Sequence, residues 1–199
     1  MRCLNSAKFR FYGVAVFLVL STIWLPHTIR AEEMELSGGQ FVNFERPSGF
    51  EVKVSRDPDD EFRPTLKFSH VATSGIKDFG FKVSIHTSER EKLRDESFAI
   101  ELMSDLCGRL EAGAVEGTVP IRKIKETDVW YCYATDAKLQ NESALPPGSY
   151  RHITVAFSRH EGYGFTAIAY SQSINDSLFR DFLDTMSTLR ARESTPNRH

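Results

Sequence analysis

Apolar residues change their spacing along this chain, and those changes constrain the fold more than any single motif. Phe41-Val-Asn-Phe44 and Phe50-Glu-Val-Lys-Val54 alternate apolar and polar, the period of half-buried strands, and Pro47-Ser-Gly separates them as a turn. Thr65 to Ala72 and Phe79 to His86 repeat the pattern around a Gly-containing connection, Thr73 to Asp78, suited to a hairpin. Arg56 to Glu61, between the second and third segments, reads as a surface turn. At Asp95 the period becomes helical. Phe98, Leu102, Leu106 and Leu110 recur every fourth residue with Met103 and Cys107 beside them, Asp95 suits the N-cap, and Gly113 suits the stop. Ser88 and Glu91 have capping-box spacing, so the helix starts earlier or follows a short turn.

Strand periodicity returns in Thr118 to Lys125, Asp128 to Asp136, Tyr150 to Ser158 and Tyr163 to Ser171. His160-Glu-Gly162 turns the last pair, and the Pro-rich stretch from Ala137 to Ser149 is the longest break. A second helix, capped by Asn175 or Asp176, carries the stripe Leu178, Phe179, Phe182, Leu183, Met186 and Leu189. The expected order is four strands, helix, four strands, helix. Short turns make neighbouring strands antiparallel, and helices with one apolar stripe need a sheet to cover. The expected fold class is α+β, a central antiparallel sheet with helices packed on its faces. Trp130 and Cys132 point one way and Tyr131 and Tyr133 the other, so both faces are apolar there and the helices are expected on opposite sides.

The amino terminus reads as an export signal over residues 1–31. Arg2, Lys8 and Arg10 precede an uncharged run from Tyr12 to Leu25, and Ala31 closes a small-residue cleavage pattern. Such a run spans about 21 Å as a helix, short of the roughly 30 Å hydrocarbon core, which favours a cleaved signal over a retained anchor. The remainder divides into a flexible segment at 32–40, one domain at 41–190 and a disordered tail at 191–199. The signal holds four basic residues and no acidic ones. The rest therefore carries 21 Lys+Arg against 27 Asp+Glu, a net charge of −6. That balance argues against nucleic acid as partner and against an anionic membrane surface. The location expected is periplasmic or extracellular, with no stable membrane insertion after cleavage.

Removing the signal leaves Cys107 and Cys132, and an even pair in an oxidising compartment is expected to form a disulfide; two buried thiols are the competing reading. Little else carries chemistry. His70, His86, His152, His160 and His199 form no HxH, HxxxH or HExxH spacing, although His152 and His160 are candidates to face each other across the last hairpin. Pro58 interrupts the acidic run Asp57, Asp59, Asp60, Glu61, which has no calcium-loop pattern. There is no GxSxG and no phosphate-binding glycine loop. The aromatics Trp130, Tyr131, Tyr133, Tyr150, Phe157, Tyr163, Phe165 and Tyr170 fit a core with cross-strand pairs better than a ligand surface. Asn141 and Asn175 begin glycosylation-type triplets, which matter only in a eukaryotic secretory pathway. No catalytic residue, metal ligand or cofactor is expected.

The second half, VWYCYAT, a Pro/Gly loop, YRHITVAFS, GYGFTAIAYS and the helix SLFRDFLDTMSTL, resembles the end of PsbP-like proteins, exported bacterial proteins and extrinsic photosystem subunits among them. The first half, with Phe44-Glu-Arg-Pro-Ser-Gly-Phe50 leading into a strand, is similar too, so the resemblance runs from Phe41 to Leu189. It implies an α/β/α sandwich and no catalysis, and it carries over no site residue. The function expected is a non-enzymatic binding or accessory domain of the cell envelope, its partner an unidentified envelope protein. The alternatives are a carrier of a small apolar ligand and a small hydrolase with dispersed site residues.

Overall fold

The computed structural model describes residues 30–37, 40–57, 60–71, 77–86, 90–142, 145 and 148–193. The strands are β1 (Arg30–Ser37), β2 (Gln40–Arg46), β3 (Phe50–Asp57), β4 (Asp60–Val71), β5 (Lys77–His86), β6 (Arg122–Lys123), β7 (Val129–Thr135), β8 (His152–His160), β9 (Tyr163–Ser171) and β10 (Arg190–Glu193). The helices are α1 (Glu96–Gly108) and α2 (Ser177–Thr188). Seven strands form one sheet in the order β3-β4-β5-β9-β8-β7-β6, and β1-β2-β10 form a second. Every neighbouring pair is antiparallel. The protein is thus a mixed α+β structure in which strands predominate.

The large sheet has two faces, and its register defines them. One carries Phe68, Phe81, Val83, Ile85, Phe165 and Ala167, all buried with Phe179, Phe182 and Met186 of α2 and with Val42 and Phe44 of the small sheet. Phe81 stacks on Phe68 at 4.2 Å and meets Phe182 edge-on at 4.9 Å, and Phe44 meets Phe68 at 5.2 Å. The opposite face carries Trp130, Cys132, Ala134, Val155 and Phe157, buried against Ala99, Met103 and Cys107 of α1. The two helices therefore do lie on opposite sides. Each is capped by an aspartate accepting a backbone N–H, Asp95 from Ser97 at 2.9 Å and Asp176 from Phe179 at 2.8 Å.

Strand β8 shows why its sequence does not alternate. Thr154, Val155, Ala156, Phe157 and Ser158 are all buried because layers cover both faces there. On β9 the cover ends. Phe165, Ala167 and Ala169 are buried, whereas Ile168 and Tyr170 are exposed. The β8–β9 turn puts Glu161 at φ 49° and Gly162 at φ 84°, a primed two-residue hairpin in which glycine relieves the strain.

Several expectations are corrected. The segment 32–40 is not frayed throughout: residues 32–37 belong to β1 and pair with β2. The tail does not begin at 191, because β10 pairs with the other side of β2, while 194–199 lie outside the described residues. Backbone pairing with β2 orders both segments, and Leu36 of β1 and Ala191 of β10 are buried in the core; the alternation Glu33-Met-Glu-Leu36 is too short and too charged to stand out. There are accordingly five strands before α1 and one after α2. Thr118 to Lys125 contributes only the two-residue β6. The turn expected from Arg56 to Glu61 is shorter, since β3 runs to Asp57 and β4 starts at Asp60.

α1 ends at Gly108, and a short 3-10 turn, Glu111–Gly113, follows and closes on Gly113. Its fully buried line is Ala99, Met103 and Cys107, with Phe98, Leu102, Leu106 and Leu110 half-buried at its flanks. The Cys107–Cys132 disulfide, Cα–Cα 6.1 Å, directs that line at β7. The expected signal falls almost wholly outside the described residues; β1 begins at Arg30.

Candidate functional site

α1 covers only the β7–β8 end of its face, tethered there by the disulfide. α1 does not reach the columns contributed by β3, β4, β5 and β9 on that side; Lys53, Lys67, Lys82, Ile168 and Tyr170 are exposed there while Thr65 is buried, and the register writes out the rows. One row reads Lys53, Lys67, Lys82, Ile168, each directly opposite the next. The row beside it reads Glu51, Ser69, Gly80, Tyr170, and that on the other side Ser55, Thr65, Ser84, Thr166.

Three lysines thus stand side by side across three strands. Cross-strand neighbours have Cβ atoms about 5 Å apart, and like charges placed directly opposite destabilise a sheet. Lys53 has one weak partner, Glu51, at 3.6 Å, with both side chains well exposed. Among the described residues Lys67 and Lys82 make no ion pair, and both are exposed. Beside them Ile168 is 39 % exposed and Tyr170 43 %. Tyr170 lies opposite Gly80, so no side chain covers its ring from that strand; Tyr150 meets it from the other side at 5.7 Å.

Tyr170 is also the wall of a cleft of about 580 Å³, which continues from the open face to the end of α1. Leu110, Leu139, Ile153 and Tyr150 supply its apolar lining, and Arg109 and Arg151 its rim. Arg109 is paired with Asp105 at 2.6 Å. Arg151 donates from Nη2 to the Glu142 carbonyl at 2.5 Å, while its buried Nε has no partner among the described residues.

His152 lines the same cleft and belongs to a polar relay. Thr135 donates from Oγ1 to Glu116 Oε1 at 2.6 Å and from its backbone N–H to Oε2 at 2.9 Å. A hydroxyl that gives its proton to Glu116 can only accept from His152 Nδ1, 3.1 Å away, which sets the Nδ1–H tautomer. Burial holds His152 below the ordinary histidine pKa against the opposing pull of Glu116. Burial, the largest single influence, would raise Glu116, but the two Thr135 hydrogen bonds together with its own backbone N–H and His152 leave the carboxyl below its usual range. Ser171 faces His152 in register, yet its Oγ is buried and makes no hydrogen bond among the described residues. The nucleophile–base contact that hydrolytic chemistry uses is not formed there.

A second cleft, of about 520 Å³, lies at the other end of the sheet. Its Asp128 bridges Arg159 at 3.3 Å and Lys123 at 3.8 Å, so the charges compensate internally. His160, at that end, sits below the usual histidine range through burial first and then Arg190. The expectation that His152 and His160 face each other is overturned: both lie on β8, at opposite ends, paired with Ser171 and Tyr163. Among the described residues no group of three or more His, Cys, Asp or Glu is placed to hold a metal, and no helix is long and apolar enough to cross a membrane.

Cys107 and Cys132 are brought together as the sequence suggested. Of the singled-out aromatics, Trp130, Phe157, Tyr163 and Phe165 are buried; Tyr170 alone among the eight is exposed. Sequence reasoning missed the lysine row. Each lysine is the outward residue of an ordinary alternating strand, as in Leu66-Lys67-Phe68, and only the register aligns them. No known family, curated protein or solved structure matches the chain.

Proposed function

We propose that this chain is an exported, non-enzymatic binding module that docks an envelope protein through the uncovered half of its large sheet. The observation that carries the reading is the pairing of Ile168 and Tyr170, two large side chains exposed side by side at the point where α1 stops. Exposed apolar groups gathered at one place on an otherwise polar face mark interaction surfaces. Export is supported by the basic and apolar amino-terminal sequence and by the Cys107–Cys132 bridge, which persists in oxidising compartments. The PsbP-like resemblance points the same way, since it implies an antiparallel sheet with a helix on each face and an accessory rather than catalytic role.

A second reading, a carrier of a small apolar molecule, is favoured by one observation: the 580 Å³ cleft lined by Leu110, Leu139, Tyr150 and Ile153 falls in the size range of ligand pockets. One experiment separates the two. Tagged mature protein and its Ile168→Ser/Tyr170→Ser variant are recovered from the native envelope fraction and analysed by mass spectrometry, with an organic-extraction arm. A stoichiometric protein that the variant loses supports the docking module. A small molecule retained by both transfers the function to the cleft, and recovery of neither overturns the binding reading.

A further inference from the structure

We propose that the occupant of the open face is an acidic, extended segment of a partner protein, with carboxylates at positions i and i+2 and an apolar or aromatic side chain at i+4. This rests on the docking reading and names the partner's chemistry.

The argument is one of charge and spacing. Lys53, Lys67 and Lys82 lie in one cross-strand row that ends on Ile168. Among the described residues the carboxylate nearest in register is Glu51, which Lys53 already takes, so two cations remain uncompensated. Such a row raises the energy of the free protein and is relieved by an anionic partner. Three steps of the strand spacing carry the row about 14 Å from Lys53 to Ile168. An extended peptide rises about 3.3 Å per residue, so positions i, i+2 and i+4 on its near face span about 13 Å and match that length. Two carboxylates then fall over the lysines, and the fifth side chain falls on Ile168 and Tyr170.

The alternatives fit less well. A second copy docking by the same face would set the lysine row against itself. Nucleic acid calls for a longer basic track, commonly about six to ten phosphate contacts, and the mature chain is net negative. An anionic polysaccharide would satisfy the lysines but brings no apolar side chain for Ile168.

The test is fluorescence anisotropy with full mature protein and labelled peptides containing Glu-Ala-Glu-Ala-Phe, its Lys-Ala-Lys-Ala-Phe reversal, and Glu-Ala-Glu-Ala-Ala. The acidic Phe peptide is expected to bind most tightly, and to weaken as salt screens the pairs. Lys67→Glu/Lys82→Glu is expected to weaken it by about tenfold or more and to gain affinity for the lysine peptide. That exchange of preference is something a merely structural role would not produce. Lys67→Ala/Lys82→Ala serves if the charge reversal unfolds the domain by circular dichroism. Equal binding of acidic and lysine peptides, or indifference to both lysine variants, overturns the proposal. So does lysine-dependent displacement of the peptide by polygalacturonate or by phosphatidylglycerol vesicles. An envelope partner lost on Ile168→Ser/Tyr170→Ser but retained by the lysine variants would overturn this inference while leaving the docking reading intact.

Discussion

Replacing Cys107 and Cys132 by alanine removes the one covalent tie between α1 and the sheet, and its cost can be worked out from the structure. The bridge closes a loop with a sequence separation of 25. On the chain-entropy model such a cross-link removes about 12 cal/mol/K from the denatured chain, or about 3.5 kcal/mol at 25 °C. Both cysteines are at most 2 % exposed. Each sulfur lost from the α1 layer adds a packing penalty, so the double variant is expected to lose about 3–5 kcal/mol. That is a large share of a total stability of about 5–15 kcal/mol. The assay is urea unfolding of oxidised wild type, reduced wild type and variant, compared as free energies because the bridge also compacts the denatured chain and lowers the slope. Reduced wild type should fall close to the variant, and hydrogen exchange should show α1 amides losing protection first. A loss under about 1 kcal/mol would refute the chain-entropy reasoning. Two reactive thiols in the unfolded, unreduced protein would refute the bridge itself.

Four further outcomes are expected. Gly164→Ala would place a Cβ 2.7 Å from Leu93 Cδ2 and 3.0 Å from Phe157 Cε2. It should cost about 1–3 kcal/mol by overpacking, and an unchanged melting temperature would contradict this. Asp176→Ala deletes the cap bond to Phe179 N–H and should lower stability by about 1 kcal/mol, read from the shift in urea midpoint. Lys67→Thr relieves two like-charge neighbours, so it should raise stability by a few tenths of a kcal/mol at low salt, a gain that vanishes as salt is added.

His152 should make the protein less stable on mild acidification. Its folded pKa is depressed, so the unfolded chain takes up the proton first, and stability present above about pH 6.5 is lost as pH falls toward the folded value. His152→Gln should flatten the profile just below about pH 6.5, and an unaltered slope there would show that other groups set it. Glu116, also depressed, adds a separate loss at lower pH, below the ordinary glutamate range.

Periodicity and capping were enough to predict both helices, the central strands and the hairpin at Glu161-Gly162, because those signals are local: side-chain direction repeats within a few residues. Strands β1 and β10 were not legible. Their sequences, RAEEMELS and RARE, are charged, and they are strands because both lie against β2. The face of α1 was read one residue off, since Phe98 and Leu102 are larger than Ala99 and dominate any count of apolarity. Ala99 is fully buried in the cluster that also holds Trp130 and Phe157, while the larger Phe98 and Leu102 are half-buried at its flank.

The candidate site divides in the same way. The cysteine pair could be inferred from number and compartment, but Tyr170, read with seven other strand aromatics as core, is exposed, and nothing in its sequence set it apart. Nor could the lysine row be inferred. Lys53, Lys67 and Lys82 lie 14 and 15 residues apart, at unremarkable outward positions. A shift of one residue in either hairpin would separate them, because side chains alternate faces with a period of two. The amino-acid sequence by itself determined which segments become strand or helix and which of their sides are apolar, through local torsional preference and burial. Only the tertiary structure decided the order β3-β4-β5-β9-β8-β7-β6, the half of the sheet that α1 leaves bare and the charges aligned there. Those depend on pairing between segments far apart in the chain, which no local period encodes.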